Sequence, residues 1–206
     1  MNRFLGLLIS LLVLLCTSVY ATTDVYLSSG SATGNYIESV DSQRKLLTGV
    51  ENSLTYKSLK NFSFVDLGID LGTLNLSGDS GLHKVDFGSN YINLTAGISL
   101  SLYPSWIEYQ VDLGYRYGTG KIEIERTKCD GSVDQHIHNE FVNNIIFKYG
   151  VKFLTFDKYL LGIQREIKNT LIEKTTETLN PKIESADSLT FFFGYRFGGG
   201  GGRIIK

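Results

Sequence analysis

Ile107-Glu108-Tyr109-Gln110-Val111-Asp112-Leu113-Gly114-Tyr115-Arg116-Tyr117-Gly118 alternates strictly, with Ile, Tyr, Val, Leu, Tyr and Tyr on one face and Glu, Gln, Asp, Gly, Arg and Gly on the other. A repeat of two places successive side chains on opposite sides of an extended strand; on a helix the same residues would be scattered around the axis. The pattern spreads outward from this run. Upstream, Ile92, Leu94, Ala96, Ile98, Leu100 and Leu102 oppose Asn93, Thr95, Gly97, Ser99 and Ser101. Further upstream, Val65, Leu67, Ile69 and Leu71 oppose Asp66, Gly68, Asp70 and Gly72. Downstream, Phe141, Ile145, Phe147, Tyr149, Val151 and Phe153 oppose Glu140, Asn144, Lys148, Gly150 and Lys152.

Strands in soluble proteins usually run about five or six residues. A tilted strand that crosses a bilayer needs about 9–11, and these runs reach that length. Their polar faces carry carboxylates, amides and lysines in mid-strand, which suits a barrel with lipid outside and a polar interior. A soluble β-sandwich, apolar inward and polar outward, produces the same alternation and stays open as an alternative. The expected fold is all-β: an eight-stranded antiparallel up-and-down transmembrane β-barrel. Its strands are read at 24–34, 45–56, 62–76, 84–102, 106–121, 136–154, 159–171 and 188–197. Connections after the second, fourth and sixth strands are short, and the others are longer or more polar, as in barrels with short periplasmic turns and longer outer loops. Pro104 and Pro181 both fall in connections, as a sheet requires. Tyr56, Tyr103, Trp106, Phe156, Tyr159 and Phe197 gather towards the short-turn end, where amphipathic rings favour the headgroup zone.

The chain has 206 residues, with 20 Lys plus Arg against 21 Asp plus Glu. That length suits one domain, and the balanced charge gives no basic stripe for nucleic acid. Arg3, the apolar stretch Phe4 to Leu15, and Val19-Tyr20-Ala21 read as a signal peptide over residues 1–21. The barrel is then expected over 22–197, followed by a Gly-rich periplasmic tail over 198–206. Cleavage removes Cys16 and leaves Cys129 alone, so no intramolecular disulfide is available to the mature chain. Cys129-Asp130-Gly131 reads as a loop-tip turn.

The last strand, Leu189-Thr190-Phe191-Phe192-Phe193-Gly194-Tyr195-Arg196-Phe197, resembles the carboxyl-terminal signature of bacterial outer-membrane barrels. In that family apolar and aromatic residues alternate up to a final Phe, and the assembly machinery recognises the strand. Leu189, Phe191, Phe193, Tyr195 and Phe197 match that alternation. Together with the signal peptide and eight strands, the chain looks like the small barrels typified by outer-membrane proteins A, X and W; no subfamily follows. The resemblance implies the outer membrane of a Gram-negative bacterium, with lipid, lipopolysaccharide and the barrel-assembly machinery as partners. The nine residues after Phe197 depart from it, because the family chain usually stops there.

An eight-stranded barrel is just wide enough for side chains to fill. The residues expected to point inward include Asp66, Asp70, Glu108, Asp112, Glu140 and Glu166, with Arg116, Lys148, Lys152, Lys168 and Arg196. Charges confined there must pair or be hydrated, so the set reads as an ion-pair plug, with a narrow water path as the alternative. His136, His138 and Glu140 alternate along one strand; two imidazoles and a carboxylate are reasonable zinc or copper ligands, but no fourth is identifiable. Ser132, His136 or His138, and Glu140 are the compact set of types suited to a hydrolase of the lipid A deacylase kind, although their parity points them away from lipid. The bland reading, a polar strand end next to an exposed loop, is preferred for both. Neither an enzymatic activity nor a cofactor is expected. Arg165 interrupts the apolar row Leu161, Ile163 and Ile167, and is read as snorkelling or meeting a lipopolysaccharide phosphate. The preferred role is structural or surface interaction, with the loops 119–135 and 172–187 as contact surfaces.

Overall fold

The computed structural model describes residues 22–37, 44–59, 65–79, 83–102, 106–128, 130–156, 158–173 and 182–198. The signal-peptide reading, Tyr103, Pro104, Cys129, Pro181 and the tail beyond Gly198 lie outside these described residues. The strands are β1 (Thr22–Ile37), β2 (Arg44–Leu59), β3 (Asp66–Asp79), β4 (His83–Leu102), β5 (Ile107–Thr127), β6 (Val133–Thr155), β7 (Tyr159–Glu173) and β8 (Lys182–Phe197). Each pairs antiparallel with the next, and β8 returns to β1, so the sheet closes into one barrel. Closure rejects the sandwich, which needs two open sheets facing each other.

The stagger of the ring follows from its register. A walk across direct partners from Thr23 passes through Ser58, Leu67, Ala96, Leu113, Phe147, Ile167 and Asp187, and re-enters β1 at Thr33, ten residues above its start. For eight strands that stagger corresponds to a tilt of about 40°. Because the offset is even, the inward parity of one strand matches that of its neighbour all the way round.

Sidedness through most of the wall is the reverse of a soluble protein's. Leu113 is 60% exposed on the outside and Phe191 65%, whereas Arg116, Lys152 and Lys168 are fully buried inside. On β5 the outward row is apolar from Ile107 to Tyr117, then turns to Thr119, Lys121, Glu123 and Glu125. At about 3.4 Å per residue and this tilt, the apolar part stands about 25 Å high, the height of a lipid-facing belt. Trp106, Phe156, Tyr159 and Phe197 are exposed at the end where β6 turns into β7. Tyr195 sits edge-on to both Tyr159 and Phe197, at ring-centroid distances of 5.6 and 4.8 Å.

The strands run further than their sequence suggests, and the two expected loops are the main correction. The stretch 119–135 is mostly sheet: β5 continues to Thr127, directly paired with Val133 of β6. The tip is a tight turn in which Lys128 N–H donates to Ser132 O at 2.8 Å and Gly131 takes a positive φ of 80°. The stretch 172–187 is strand to Glu173 and again from Lys182. Alternation persists in these extensions, and on β5 it changes meaning. Ile122 and Ile124 point inward and are fully buried, while Lys121 and Glu123 point out. A reading in which apolar means outward loses the strand where that exchange occurs.

Candidate functional site

The lumen holds two layers of different chemistry. Starting from the turn end, the lower layer is charged. Arg196 grips Asp24 through Nε and Nη2, at 2.7 and 2.9 Å, and Glu108 through Nη1 and Nη2, at 2.6 and 2.7 Å. Lys152 joins the same pair of carboxylates at 2.9 and 3.2 Å. Next, Lys57 meets Asp112 at 2.6 Å. Lys148 bridges Asp70 and Glu166, and Asp70 also accepts from Thr55 at 2.8 Å and Asn93 at 3.0 Å. Uppermost, Arg116 Nη2 donates to Glu51 and Glu166 at 2.7 and 2.5 Å, its Nε donates to Asn93, and its guanidinium lies 3.4 Å over the Tyr91 ring. Lys168 completes this group on Glu51 at 2.7 Å and Glu166 at 3.2 Å.

Every one of these side chains is buried. Seven buried carboxylates (Asp24, Glu51, Asp66, Asp70, Glu108, Asp112 and Glu166) face six buried cations (Lys57, Arg116, Lys148, Lys152, Lys168 and Arg196) among the described residues. A charge removed from water is tolerated only when paired and hydrogen-bonded, and forked guanidinium contacts satisfy both demands at once.

Above the charges lies a mainly apolar layer. Leu47, Leu74, Phe87, Ile122, Ile124 and Val142 pack into one buried cluster with Tyr36, Tyr91 and Ile183. Tyr91 joins the layers: its ring belongs to the apolar cluster, and its hydroxyl donates to Glu51 at 2.5 Å.

Ten of the eleven residues expected in the lumen network (Asp66, Asp70, Glu108, Asp112, Arg116, Lys148, Lys152, Glu166, Lys168 and Arg196) lie fully buried inside. Glu140 lies higher than the other ten. It points inward opposite Gly120, half-buried and one inward step beyond Val142 of the apolar layer. Asp24, Glu51 and Lys57 were not anticipated, because β1 and β2 have few apolar residues to set their phase. A signal was nonetheless present: Glu51, Ser53, Thr55 and Lys57 alternate with Val50, Leu54 and Tyr56. These inward rows account for the polarity of the first two strands.

His136 and His138 lie inward on upper β6, opposite Ile124 and Ile122. Among the described residues no group of three His, Cys, Asp or Glu side chains converges to hold a metal ion. Ser132 sits at the exposed turn tip, where its hydroxyl donates to Asp130 Oδ1 at 2.6 Å. That bond and the Ser132 backbone N–H hold the Asp130 carboxyl below its ordinary range. Four strand residues, about 13 Å, separate Ser132 from His136, so the candidate hydrolytic set does not assemble. Arg165 faces outward as expected, but it forks onto Asp187 of β8, at 3.0 and 2.9 Å from Nε, and donates to the Tyr149 hydroxyl at 3.3 Å. On β8, Leu189, Phe191 and Phe193 are exposed outward.

A charged, closed lumen inside an apolar belt defines a transmembrane barrel, and the fold is that of the small eight-stranded barrels of Gram-negative outer membranes. Neisserial surface protein A is similar in structure, with 14% identity over 84% of this chain and 97% of that one and a TM-score of 0.54. Outer membrane protein OprG from Pseudomonas aeruginosa aligns at 10% identity over 87% and 98%, TM-score 0.49. Ail of Yersinia pestis, solved with the heparin analogue sucrose octasulfate, aligns at 17% identity over 87% and 100%, TM-score 0.45. No known family profile matches the chain, and no curated protein matches it in sequence.

Proposed function

We propose that the chain is a non-conducting anchor in the outer membrane, with a structural or surface-interaction role carried by the rim that stands above the lipid. The carrying observation is the doubly filled lumen: ion pairs fill its lower part, and Leu47, Leu74, Ile122 and Val142 fill the part above. A water path would have to cross both layers. The charged layer stiffens the membrane segment, and the apolar layer gives the protruding β4–β6 wall a core of its own. On this reading residues 1–21 direct export and are removed, β8 engages the assembly machinery, and the belt contacts lipid. No chemistry is assigned to Ser132, His136, His138 or Glu140.

Planar-bilayer recording tests the proposal. Purified protein inserted from detergent is expected to give no resolved current steps, and Arg116→Gln is expected to leave the baseline unchanged. Stable open-channel steps in the unmodified protein would establish the narrow-pore reading instead.

A further inference from the structure

The apolar belt is broken on one side of the barrel. On β5 six successive outward side chains are apolar, from Ile107 to Tyr117. On β1 the outward row reads Thr23, Val25, Leu27, Ser29, Ser31 and Thr33, so only Val25 and Leu27 are apolar. These polar residues sit at membrane depth. At this tilt each step across direct partners from β1 towards β5 climbs about 3 Å, and each residue along a strand about 2.6 Å. The row Phe191–Ser29–Asn52–Thr73–Asn90–Thr119 is paired directly from β8 through β1 to β5. Relative to Tyr117 at the top of the belt, Ser29 lies about 7 Å lower and Asn52 about 4 Å lower, level with hydrocarbon. Tilting the whole barrel does not restore the belt, because β1 is polar below Val25 as well as above Leu27. The break is a hollow: a groove of about 810 Å³ runs over Ser29 and Asn52. Beside it on β8 stands a ridge of Phe191 and Phe193, 65% and 58% exposed.

We propose that a second copy of this chain fills the hollow, the two barrels pairing side by side in the membrane about a two-fold axis at β1. The proposal rests on the outer-membrane reading above. A two-fold pair presents the same patch from both sides, so the patch must complement its own image. A ridge on β8 next to a hollow over β1 and β2 meets that demand. Rotation about an axis at β1 sets β8 of each copy opposite β2 of the other, which seats Phe191 in the hollow over the partner's Asn52. The two Ser29 hydroxyls then meet near the axis. Hydroxyls and amides both donate and accept, so identical polar rows satisfy each other, whereas hydrocarbon offers them no partner. An acyl chain fills the same space and leaves the Asn52 amide unbonded. Small residues let two walls approach closely, and polar ones bond across the contact. No charged side chain lines the groove, so identical walls meet without repulsion.

The test is Förster transfer between two dye-labelled populations of the full barrel in phosphatidylcholine vesicles, over a range of protein-to-lipid ratios. Transfer is expected to exceed that of randomly mixed barrels and to fall on dilution along a monomer–dimer curve. Ser29→Trp, which fills the hollow, is expected to weaken association about tenfold. Asn52→Leu is expected to weaken it about threefold, the worth of one polar contact between membrane segments, and carries the test if Ser29→Trp does not fold. Oxidation is expected to cross-link Ser29→Cys into a dimer but not Leu113→Cys on the far wall, both in a Cys129→Ser background. Transfer no greater than random mixing at every ratio would mean that lipid or another protein occupies the hollow, and would overturn the proposal. Equal cross-linking at both walls, or undiminished association in both variants, would do the same. Failure of the unmodified chain to insert into bilayers at all would sink the outer-membrane reading and the proposal with it.

Discussion

Arg116→Leu is expected to lower the unfolding free energy by about 3–5 kcal/mol, the cost of removing one partner from a buried ion network. Arg116 is fully buried and donates to Glu51, Glu166 and Asn93 while lying over Tyr91. Leucine leaves two carboxylates with only Lys168 and Lys148 to share, in a space that water enters poorly. Urea titration of folded and unfolded protein in lipid vesicles, followed by heat-modifiable gel migration, measures the loss. The penalty comes from the abandoned carboxylates more than from the missing attraction, so adding Glu51→Gln alone to Arg116→Leu, which leaves Lys168 paired with Glu166, is expected to recover a large share of it. If the single variant unfolds at the wild-type urea concentration, the network does not stabilise the barrel.

The second large effect concerns the outside. Leu113 is 60% exposed and sits near the middle of the apolar belt, between Val111 and Tyr115. Leu113→Arg is expected to cost about 2–4 kcal/mol, and Thr119→Arg, three outward steps higher, about 0–1 kcal/mol. The contrast within one strand face reads the membrane boundary directly. Equal and small effects at both sites would mean that no hydrocarbon surrounds Leu113. The natural exception is Arg165, which avoids this cost by forking onto Asp187 and reaching the Tyr149 hydroxyl.

Much of the barrel could be read from residue pattern because a repeat of two runs unbroken through most of each strand and slips only at the bulges on the upper flanks of β8. Ile107 to Tyr117 fixed the phase of β5, and from it the inward placement of Glu108, Asp112 and Arg116. Closure also makes register global: an even stagger carries that phase from strand to strand. Two things were hidden. In β1, serines, threonines and glycines occupy both faces, so nothing in the residues themselves marks which side Asp24 takes; its place is set by pairing with Lys57 on one flank and Arg196 on the other. In upper β5 the alternation was plain but its sense had changed, with Ile122 and Ile124 inward, whereas upper β6 keeps His136, His138 and Glu140 inward and Ile137 and Phe141 outward. Pattern gives periodicity, whereas the solvent outside decides which phase is the interior. The ion pairs themselves were legible as a composition of the inward rows, but not as specific partners, because Lys57–Asp112 and Arg116–Glu166 join strands that are not neighbours.

That change of sense along β5 has a bearing on which mutations the protein can accumulate. Up to Gly118, odd-numbered positions must remain greasy and even-numbered ones hydrophilic; beyond Gly120, Ile122 and Ile124 reverse the rule. Tolerance to substitution should therefore show a checkerboard whose colours invert within a few residues. An exhaustive substitution scan scored by assembly would draw that line along β5 without any structural probe. Homologues drifting over long times would keep the inversion point while losing nearly all residue identity.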